Sequence, residues 1–446
     1  MKKLLFSLLL SLSAVMAQAA LTFTGPLSGQ AVLVQPESSS GLNQVWVLPQ
    51  FDGVEAVYEA TSDRTVTVYR YSNLGGGYAE PVAVSKNGRR YSLVLTGTTD
   101  MGYIFEEGNT RSYYWLTNYS AHPLSLIALG ISPEADCART ALIPSGEGDR
   151  MVYYSINGRQ VEIDRQLSIS YNTLSYNESN KSYGLTQVEE NLAYLSSTIY
   201  VDAPLCDTYF VLSGDRFLRA WGNEQSISSS YFNTNAIDAQ TWAIETEREY
   251  DNEKREETGG QAMGGSGPVE ITFGAAVTDA VIFKEWQMSH DPEFNDITYR
   301  YNDTDFTYTF DDTGTTYVRF AASNAAGDCN YYSDTYEVFV GESRLDCPNA
   351  FSPGTSEGVN DEWKVSYKSI VDFECHIFNR WGVKIIDLNH PSQGWDGKYN
   401  GKVVPPGVYF YVIKATGADG KKYNLGGDIN VIRYKQNPVG TTDPLD

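Results

Sequence analysis

Short runs of alternating apolar and polar residues, separated by turn residues, follow one another along almost the whole chain. Examples are RTVTVYRY at 64–71, MVYYSINGRQVEI at 151–163 and GVYFYVIKATG at 407–417. A period of two is the period of a β-strand, whereas an amphipathic helix repeats every 3.6 residues. The 32 tyrosines add to this preference, because aromatic and β-branched residues favour strands. We therefore predict an all-β chain of tandem immunoglobulin-like β-sandwich domains with a further β-sandwich at its C-terminal end.

Length and charge narrow the classes of protein to which the chain can belong. At about 100–200 residues per domain, a chain of 446 residues should hold three or four domains. The chain has 33 Lys and Arg against 56 Asp and Glu, a formal net charge of −23. Nucleic-acid backbones and anionic membrane surfaces attract basic proteins, so we expect no nucleic-acid partner. The acidity is typical of a protein that stays soluble outside the cell.

The first residues have the pattern of a secretory signal peptide. Two lysines precede an apolar run over 4–15, which is too short to span a bilayer. The sequence AQA at 17–19 has the spacing of a cleavage site, so we predict a signal peptide over 1–19 and a mature chain that begins at Ala20. No later apolar run reaches the roughly 18 residues of a transmembrane helix.

Changes in composition and turn signals divide the rest of the chain. The turns at Asn87-Gly88 and Asn157-Gly158 predict two hairpins, because such tight turns need a positive φ. The run ETEREYDNEKREET followed by GGQAMGGSGP has no apolar face and predicts a flexible boundary. The predicted segments are a β-sandwich over 20–131, an immunoglobulin-like β-sandwich over 132–243, a charged and Gly-rich linker over 244–268, a third small β-domain over 269–341, a fourth over 345–435, and a disordered tail over 436–446.

Five cysteines in an exported chain allow disulfides but not a disulfide scaffold. Cys137 and Cys206 lie early and late in one sandwich, so we predict a bridge between its sheets; the alternative is two buried thiols. In VDFECHIF the period of two places Cys375 on the inner face with its apolar neighbours. A Cys347–Cys375 bridge follows from that position, with a Cys329–Cys347 bridge as its competitor.

The motifs of enzyme active sites are missing from the sequence. The four histidines, at 122, 290, 376 and 390, do not form H-E-x-x-H, and no G-x-S-x-G or phosphate-binding loop occurs. Three carboxylate pairs, Asp311-Asp312, Glu256-Glu257 and Asp361-Glu362, leave a glycosidase open, because two carboxylates assembled from distant strands suffice. The loop over 356–362 departs from the calcium-binding pattern. We expect no enzyme activity, no metal and no cofactor.

Several motifs in the last quarter of the chain occur in a recognisable order. They are PNAFSP at 348–353, GVND at 358–361, IFNRWG at 377–382, GWDGK at 394–398 and PGVYFYVI at 406–413. Together they resemble the gliding-motility-associated (type B) C-terminal sorting domain of Bacteroidota type IX secretion cargo. The sorting-domain residues carried over are Asn349, Phe351, Asn360, Asp361, Asn379, Arg380, Trp381, Gly382, Trp395, Asp396, Gly397 and Gly407.

A second, shorter motif lies upstream. The stretch TGTTYVRFAASNAAG at 313–327 resembles the late strand pair of polycystic-kidney-disease-type (PKD-like) immunoglobulin-like domains, which usually act as spacers or adhesive units. The sorting domain itself departs from its family in one loop, where GTSEG at 354–358 replaces the usual Asn-Gly-Asp-Gly.

The resemblance implies an export route and a class of partner. It implies passage through the type IX secretion machinery to the cell surface or medium, and an outer-membrane β-barrel partner of the PorP/SprF kind. The upstream domains would be adhesive, spacer or assembly modules without enzyme activity, with a surface ligand or glycan as a further partner. The alternatives are a structural accessory subunit of an outer-membrane β-barrel complex, and a secreted carbohydrate-binding protein or hydrolase.

Overall fold

The computed structural model describes residues 21–134, 136–258, 262–354 and 359–432. The predicted signal peptide and the predicted tail lie outside them. The described chain is all-β, as predicted, and its strands form tandem sandwiches. It divides into two compact units, Met1–Leu174 with Leu185–Thr234, and Ser175–Gly184 with Asn235–Asp446. Within the described residues, no helix has the length and apolar character needed to cross a membrane.

The strands up to residue 228 are 3 to 11 residues long, and one α-helix of a single turn interrupts them. In chain order they are β1 Leu21–Thr24, β2 Val32–Val34, β3 Gln44–Leu48, β4 Glu55–Glu59, β5 Val66–Tyr71, β6 Glu80–Val82, β7 Ser85–Asn87, β8 Arg90–Val94, β9 Met101–Glu107, β10 Thr110–Asn118, β11 Ser125–Ile131, β12 Arg139–Glu147, β13 Met151–Tyr154, β14 Gln160–Ile163, β15 Leu167–Asn177, β16 Ser182–Leu192, β17 Ile199–Asp202, β18 Val211–Gly214, α1 Arg216–Ala220 and β19 Gln225–Ser228.

The first sandwich consists of two facing sheets. Their strand orders are β1-β4-β8-β7 and β2-β3-β10-β9-β5-β6. Aromatic side chains fill the space between them: Tyr58 stacks on Phe105 with ring centroids 4.5 Å apart, and Tyr114 meets Phe105 edge-on at 5.6 Å. The predicted hairpin at Asn87-Gly88 is confirmed, because β7 pairs with β8 around Gly88 at φ +62°.

The second sandwich begins earlier than the predicted boundary at residue 131. Strand β11 pairs with β12, in the sheet β11-β12-β17, and takes no part in the first sandwich. The chain leaves β10 through a 3-10 turn over Tyr119–Ala121, where the Asn118 side chain accepts the Ser120 N–H. The boundary therefore lies near this turn. Strand periodicity alone cannot show it, because it does not say which sheet a strand joins.

The second unit also consists of β-strands joined by turns and loops. They are β20 Ala239–Glu245, β21 Met263–Gly264, β22 Val269–Val277, β23 Phe283–Ser289, β24 Tyr299–Tyr301, β25 Asp305–Phe310, β26 Gly314–Ser323, β27 Asn330–Tyr332, β28 Tyr336–Val340, β29 Arg344–Asp346, β30 Ala350–Phe351, β31 Ser366–Lys368, β32 Ile370–Phe378, β33 Lys384–Leu388, β34 Lys398–Tyr399, β35 Lys402–Val403, β36 Gly407–Gly417 and β37 Lys422–Val431.

The third domain packs the sheet β20-β22-β25 against the sheet β21-β28-β26-β23-β24, with β27 added to β26. Phe273, Trp286 and Phe320 are fully buried between the sheets. Strand β20 pairs with β22 along its whole length, so the domain begins near residue 239 and not after the linker as predicted. The two segments of this domain are separated in sequence by the charged run, which concealed that they share one sheet.

The segment over 244–268 is not the flexible linker that its composition predicts. Asn252 is buried, and its side-chain amide donates to the carbonyls of Val365 and Pro391, each at 2.8 Å. Ser266 is also buried and accepts the Ser369 N–H at 2.9 Å. Gly265 lies so close to backbone that an added Cβ would sit 2.4 Å from a carbonyl oxygen. Polar backbone contacts, and not an apolar face, hold the described part of this segment to the domains of its own unit.

Candidate functional site

The C-terminal domain is built on one five-stranded sheet. Its order is β30-β37-β36-β32-β33, and the small pairs β29-β31 and β34-β35 accompany it. Two fully buried tryptophans hold the rest of the chain against this sheet. Trp363 and Trp395 exchange backbone hydrogen bonds of 2.9 and 3.0 Å. As predicted, Cys375 points into this core and has no exposed surface.

The opening motif supports this core. The Phe351 ring lies 5.2 Å from that of Trp395, and the Asn349 carbonyl accepts the backbone N–H of Asn430 at 2.9 Å. Asn360 adopts a positive φ of 54°, and its carbonyl accepts the Ser352 N–H. The next residue, Asp361, is half-buried. These four predicted sorting-domain residues therefore lie where the chain enters the sheet, and residues 355–358 between them lie outside the described part.

The turn over 379–382 is rigid and displays a tryptophan to solvent. The Asn379 side-chain oxygen accepts the N–H groups of Trp381 and Val383 at 2.9 and 3.0 Å, and Gly382 closes the turn at φ +79°. Trp381 is nevertheless 78% exposed. The Arg380 guanidinium lies 5.3 Å from the centre of its ring, within the range of a cation–π contact.

Arg380 also reaches Gly407, the first residue of β36. A Cβ added to Gly407 would lie 3.3 Å from the Arg380 guanidinium, so the side chain rests against this glycine. A groove runs between the two segments, lined by Arg380, Trp381, Tyr399, Pro406 and Val408. The structure thus brings Asn379, Arg380, Trp381, Gly382 and Gly407 together. Of the other predicted motif residues, Phe351, Trp395 and Gly397 are buried, Asp361 and Asp396 are half-buried, and Asn349 and Asn360 are exposed.

Trp395, Asp396 and Gly397 form the second turn of the motif set. The Trp395 indole N–H donates to the Lys398 carbonyl at 3.0 Å, and Gly397 adopts φ +71° beside Pro353. Partial burial acts to raise the pKa of Asp396, but hydrogen bonds from Lys398 outweigh it and hold the pKa below its usual value. These three residues are anchors of the fold, as their residue types predicted.

The outer face of β36 extends the groove, and the sequence analysis missed it. Val408, Phe410 and Val412 alternate with buried or half-buried residues and are 39–45% exposed on the central strand of the sheet. The run GVYFYVI is apolar at nearly every position, which is typical of a strand covered on both faces. In the described structure only its inner face is covered by the domain core. We call the groove together with Val408, Phe410 and Val412 the apolar surface of the domain.

The predicted disulfide pairings are not formed in the structure. Cys206 is a thiol; it and Cys137 lie in loops that flank one pair of neighbouring strands, β12 and β17, and do not face each other between sheets. Cys347 and Cys375 are also thiols, which excludes the Cys329–Cys347 alternative too. Cys347 packs against the core and hydrogen-bonds Tyr411.

We expect Cys375 to resist alkylation in the folded chain. Burial raises the pKa of its thiol to about 12, with the neighbouring Cys347 adding to the rise. Only the thiolate reacts, so at pH 8 iodoacetamide should modify the Cys375 peptide only after unfolding, as mass spectrometry can show. Modification that needed a reductant even after unfolding would reveal a disulfide and contradict the structure.

Two of the candidate carboxylates are held in ion pairs, and two of the histidines contact carboxylates. Glu256 contacts the Lys368 ammonium at 2.7 Å, and Glu362 contacts that of Lys364 at 3.2 Å. His122 pairs with Asp100 at 2.8 Å, and His376 with Asp387 at 2.5 Å. Asp311 and Asp312 are exposed in the turn between β25 and β26.

Comparisons with known proteins identify two segments. Residues 130–229 match the fibronectin type III domain family Fn3_FA, and residues 345–427 match the CHU_C type IX secretion signal domain family. The first match begins at residue 130, at the end of β11 and close to the predicted boundary at 131. The second spans the motifs and nearly the whole five-stranded sheet. A comparison with curated protein sequences finds no match.

The solved structures found by comparison are only weakly similar to this chain. A tetra-tandem repeat from the extending region of a large adhesion protein is 10% identical, over 93% of this chain and 100% of that one, with a TM-score of 0.21. Sidekick-1 immunoglobulin domains 1–5 are 11% identical, over 93% and 81%, with a TM-score of 0.24. Fibronectin(III)-like modules of Clostridium thermocellum CbhA are 11% identical, over 39% and 91%, with a TM-score of 0.17. TM-scores this low carry no argument about function.

The type IX secretion signal indicates export to the cell surface or secretion and implies contact with the secretion machinery. The chain therefore carries a C-terminal domain of the CHU_C type IX secretion signal family, and a fibronectin type III domain and other β-sandwich domains precede it.

Proposed function

We propose that this chain is a non-enzymatic surface protein whose C-terminal domain is recognised through its apolar surface by the type IX machinery. The upstream domains act as adhesive, spacer or assembly modules. The observation that carries the proposal is the exposed apolar surface itself, which lies on a domain of the secretion-signal family. The enzyme-free role is supported by the ion pairing of two of the candidate carboxylates, Glu256 and Glu362.

The composition of β36 supports a partner on this surface. Phe410 and two valines remain partly exposed on a central strand. Each Å² of apolar area that a partner removes from water would contribute about 25 cal/mol of favourable free energy. Contiguous apolar patches of this kind on soluble proteins usually mark sites of protein interaction. The surface is continuous with the groove, because Val408 belongs to both.

The turn at 379–382 supports recognition in a second way. Tryptophan and arginine are the residues most enriched among interaction hot spots, and here they are neighbours in contact. The Asn379 hydrogen bonds fix the turn before any partner binds, which reduces the conformational entropy lost on binding. The partner that fits is a protein with an apolar ridge that fills the groove.

Replacing Trp381 by Ala should reduce export without unfolding the domain. A hot-spot tryptophan contributes about 2 kcal/mol or more to binding, so we expect the surface fraction to fall tenfold or more. Because the side chain is exposed, the unfolding free energy should change by no more than about 0.5 kcal/mol. Protease accessibility on intact cells measures the first quantity, and chemical denaturation measures the second.

Val371→Ala is the matched control for this test. Val371 is 37% exposed on β32, at the end of the strand opposite to the 379–382 turn. Export of this variant should be normal. Normal export of Trp381→Ala would show that the apolar surface is not the recognition site, while the secretion-signal assignment would stand.

A PorP/SprF-like outer-membrane β-barrel is the partner that we propose for the exported chain at the surface. It should co-purify with the exported chain from outer-membrane extracts. Recovery of the chain only from the medium, with no barrel bound, would contradict this part of the proposal.

A further inference from the structure

The third domain carries a second cleft, which lies outside the secretion signal domain. It lies at an open edge of the sandwich, where β24 of one sheet meets β25 of the other. Tyr299 and Tyr308 face each other there, with ring centroids 6.1 Å apart at 44°. Tyr299 is 50% exposed. Among the groups that line the rest of the cleft are His290, Asp311, Asp312, Thr298 and Thr316.

The walls of the cleft are fixed before any ligand binds. The Ser289 hydroxyl donates to the Asp296 carbonyl at 2.7 Å and accepts the Asp291 N–H at 2.9 Å. The Asp291 carboxylate accepts the N–H groups of Glu293 and Asn295. On the other side, the Tyr308 ring packs on Phe310 at 4.8 Å. The loop that carries His290 and the strand that carries Tyr308 are therefore both held in place.

The polar groups of the cleft include both donors and acceptors. The His290 Nδ1 lies 3.1 Å from the Thr315 carbonyl, which can only accept, so Nδ1 is the donor in this contact, and Nε2 is the acceptor in the corresponding uncharged tautomer. Burial raises the pKa of Tyr308, and nearby tyrosines and the carboxylates Asp311 and Asp312 add to the rise, so its phenol remains a donor. Within the described residues, no hydrogen bond or ion pair occupies those two carboxylates.

We infer that this cleft binds a neutral glycan. Tyrosine rings offer flat apolar faces to the C–H faces of a sugar ring, and each sugar hydroxyl both donates and accepts a hydrogen bond. The cleft supplies this combination in one rigid place, with acceptors on the aspartates and His290 and donors on Tyr308 and the two threonines. A cationic peptide is the competing ligand, because its charges would meet the aspartates, and the experiment below includes it as a separate outcome. The inference names the ligand class of the adhesive modules and so rests in part on the proposed function.

The test uses the purified mature chain, so it does not depend on export. Binding is measured by affinity electrophoresis through gels that contain dextran, mannan, xylan or a mixed-linkage β-glucan, with poly-lysine as a separate probe. We expect retardation by at least one polysaccharide. Tyr299→Ala should weaken that binding tenfold or more, equivalent to about 1.4 kcal/mol. Asp312→Asn, which keeps the shape of the side chain, should also weaken it.

Tyr332→Ala is the matched control, because Tyr332 is 60% exposed in the same domain but lies outside the cleft. It should bind like the unmodified chain. The inference is overturned if no polysaccharide retards the chain, if Tyr299→Ala and Asp312→Asn both bind normally, or if only poly-lysine binds. Any of these outcomes is compatible with normal export, so failure here is distinguishable from failure of the proposed function.

Discussion

Replacing Arg165 by Met is expected to destabilise the first unit by about 3–5 kcal/mol, because it leaves a buried carboxylate without its partner. Arg165 and Asp215 form an ion pair at 2.8 Å, and neither side chain has exposed surface. The Asp215 carboxylate also accepts the Tyr119 hydroxyl at 3.0 Å. The unfolding free energy from urea denaturation, followed by tryptophan fluorescence, measures the loss.

The expected loss is large because the Arg165 guanidinium makes several buried hydrogen bonds. It donates to Asp215, to the carbonyls of Asp149 and His122, and to the Tyr119 hydroxyl. Removing it leaves several buried acceptors without donors in addition to the charge. Asp215 has a second task, because it caps α1 by accepting the N–H groups of Phe217 and Leu218.

Two further variants separate the buried charge from other causes. Arg165→Met combined with Asp215→Asn should be more stable than Arg165→Met alone, because no charge is left unpaired and the introduced amide oxygen can still cap α1. Arg89→Met removes an exposed partner of Asp63 at 2.7 Å and should leave the denaturation midpoint almost unchanged. Equal losses for Arg165→Met and Arg89→Met would show that the buried pair has no special role.

The parts of the fold that sequence could predict are those set by neighbouring residues. Alternation placed Cys375 in the core, and Asn-Gly pairs placed the two hairpins around Gly88 and Gly158. The role of Trp395 as a buried anchor followed from its size and the turn after it. Each of these depends on a period of two or on a glycine φ, which a single segment determines.

The features that escaped prediction depend on residues far apart in sequence. Arg165 and Asp215 are 50 positions apart, and no local pattern relates them. The run over 244–258 was predicted to be free, because its docking uses amide and hydroxyl groups such as those of Asn252 and not an apolar stripe. Tyr299 and Tyr308 belong to different sheets, so only the folded edge brings them together.

The sorting-domain motifs include features that the sequence could predict and features that it could not. Their order along the chain was enough to predict a secretion signal, but not which motif residues are structural. In the structure Phe351 and Trp395 are buried, whereas Trp381 is exposed on a fixed turn. The apolar outer face of β36 went unnoticed because its alternation is hidden in a run that is apolar throughout.

Deleting residues 345–446 is expected to abolish delivery to the cell surface. The secretion signal domain lies within this segment, so a chain that ends at Arg344 should be exported across the inner membrane and remain in the periplasm. The third domain also loses contacts, such as that between Ser266 and Ser369, so the truncated chain should be tested for intactness. Intact truncated protein in the periplasm makes the comparison valid.

The measurement that tests the central claim is the fraction of the chain that added protease digests on intact cells with a type IX system. For the full chain we predict that most of the protein is digested or recovered in the medium. For an intact chain without residues 345–446 we predict that almost none is. Equal digestion of the two chains would contradict the claim that the C-terminal domain directs export.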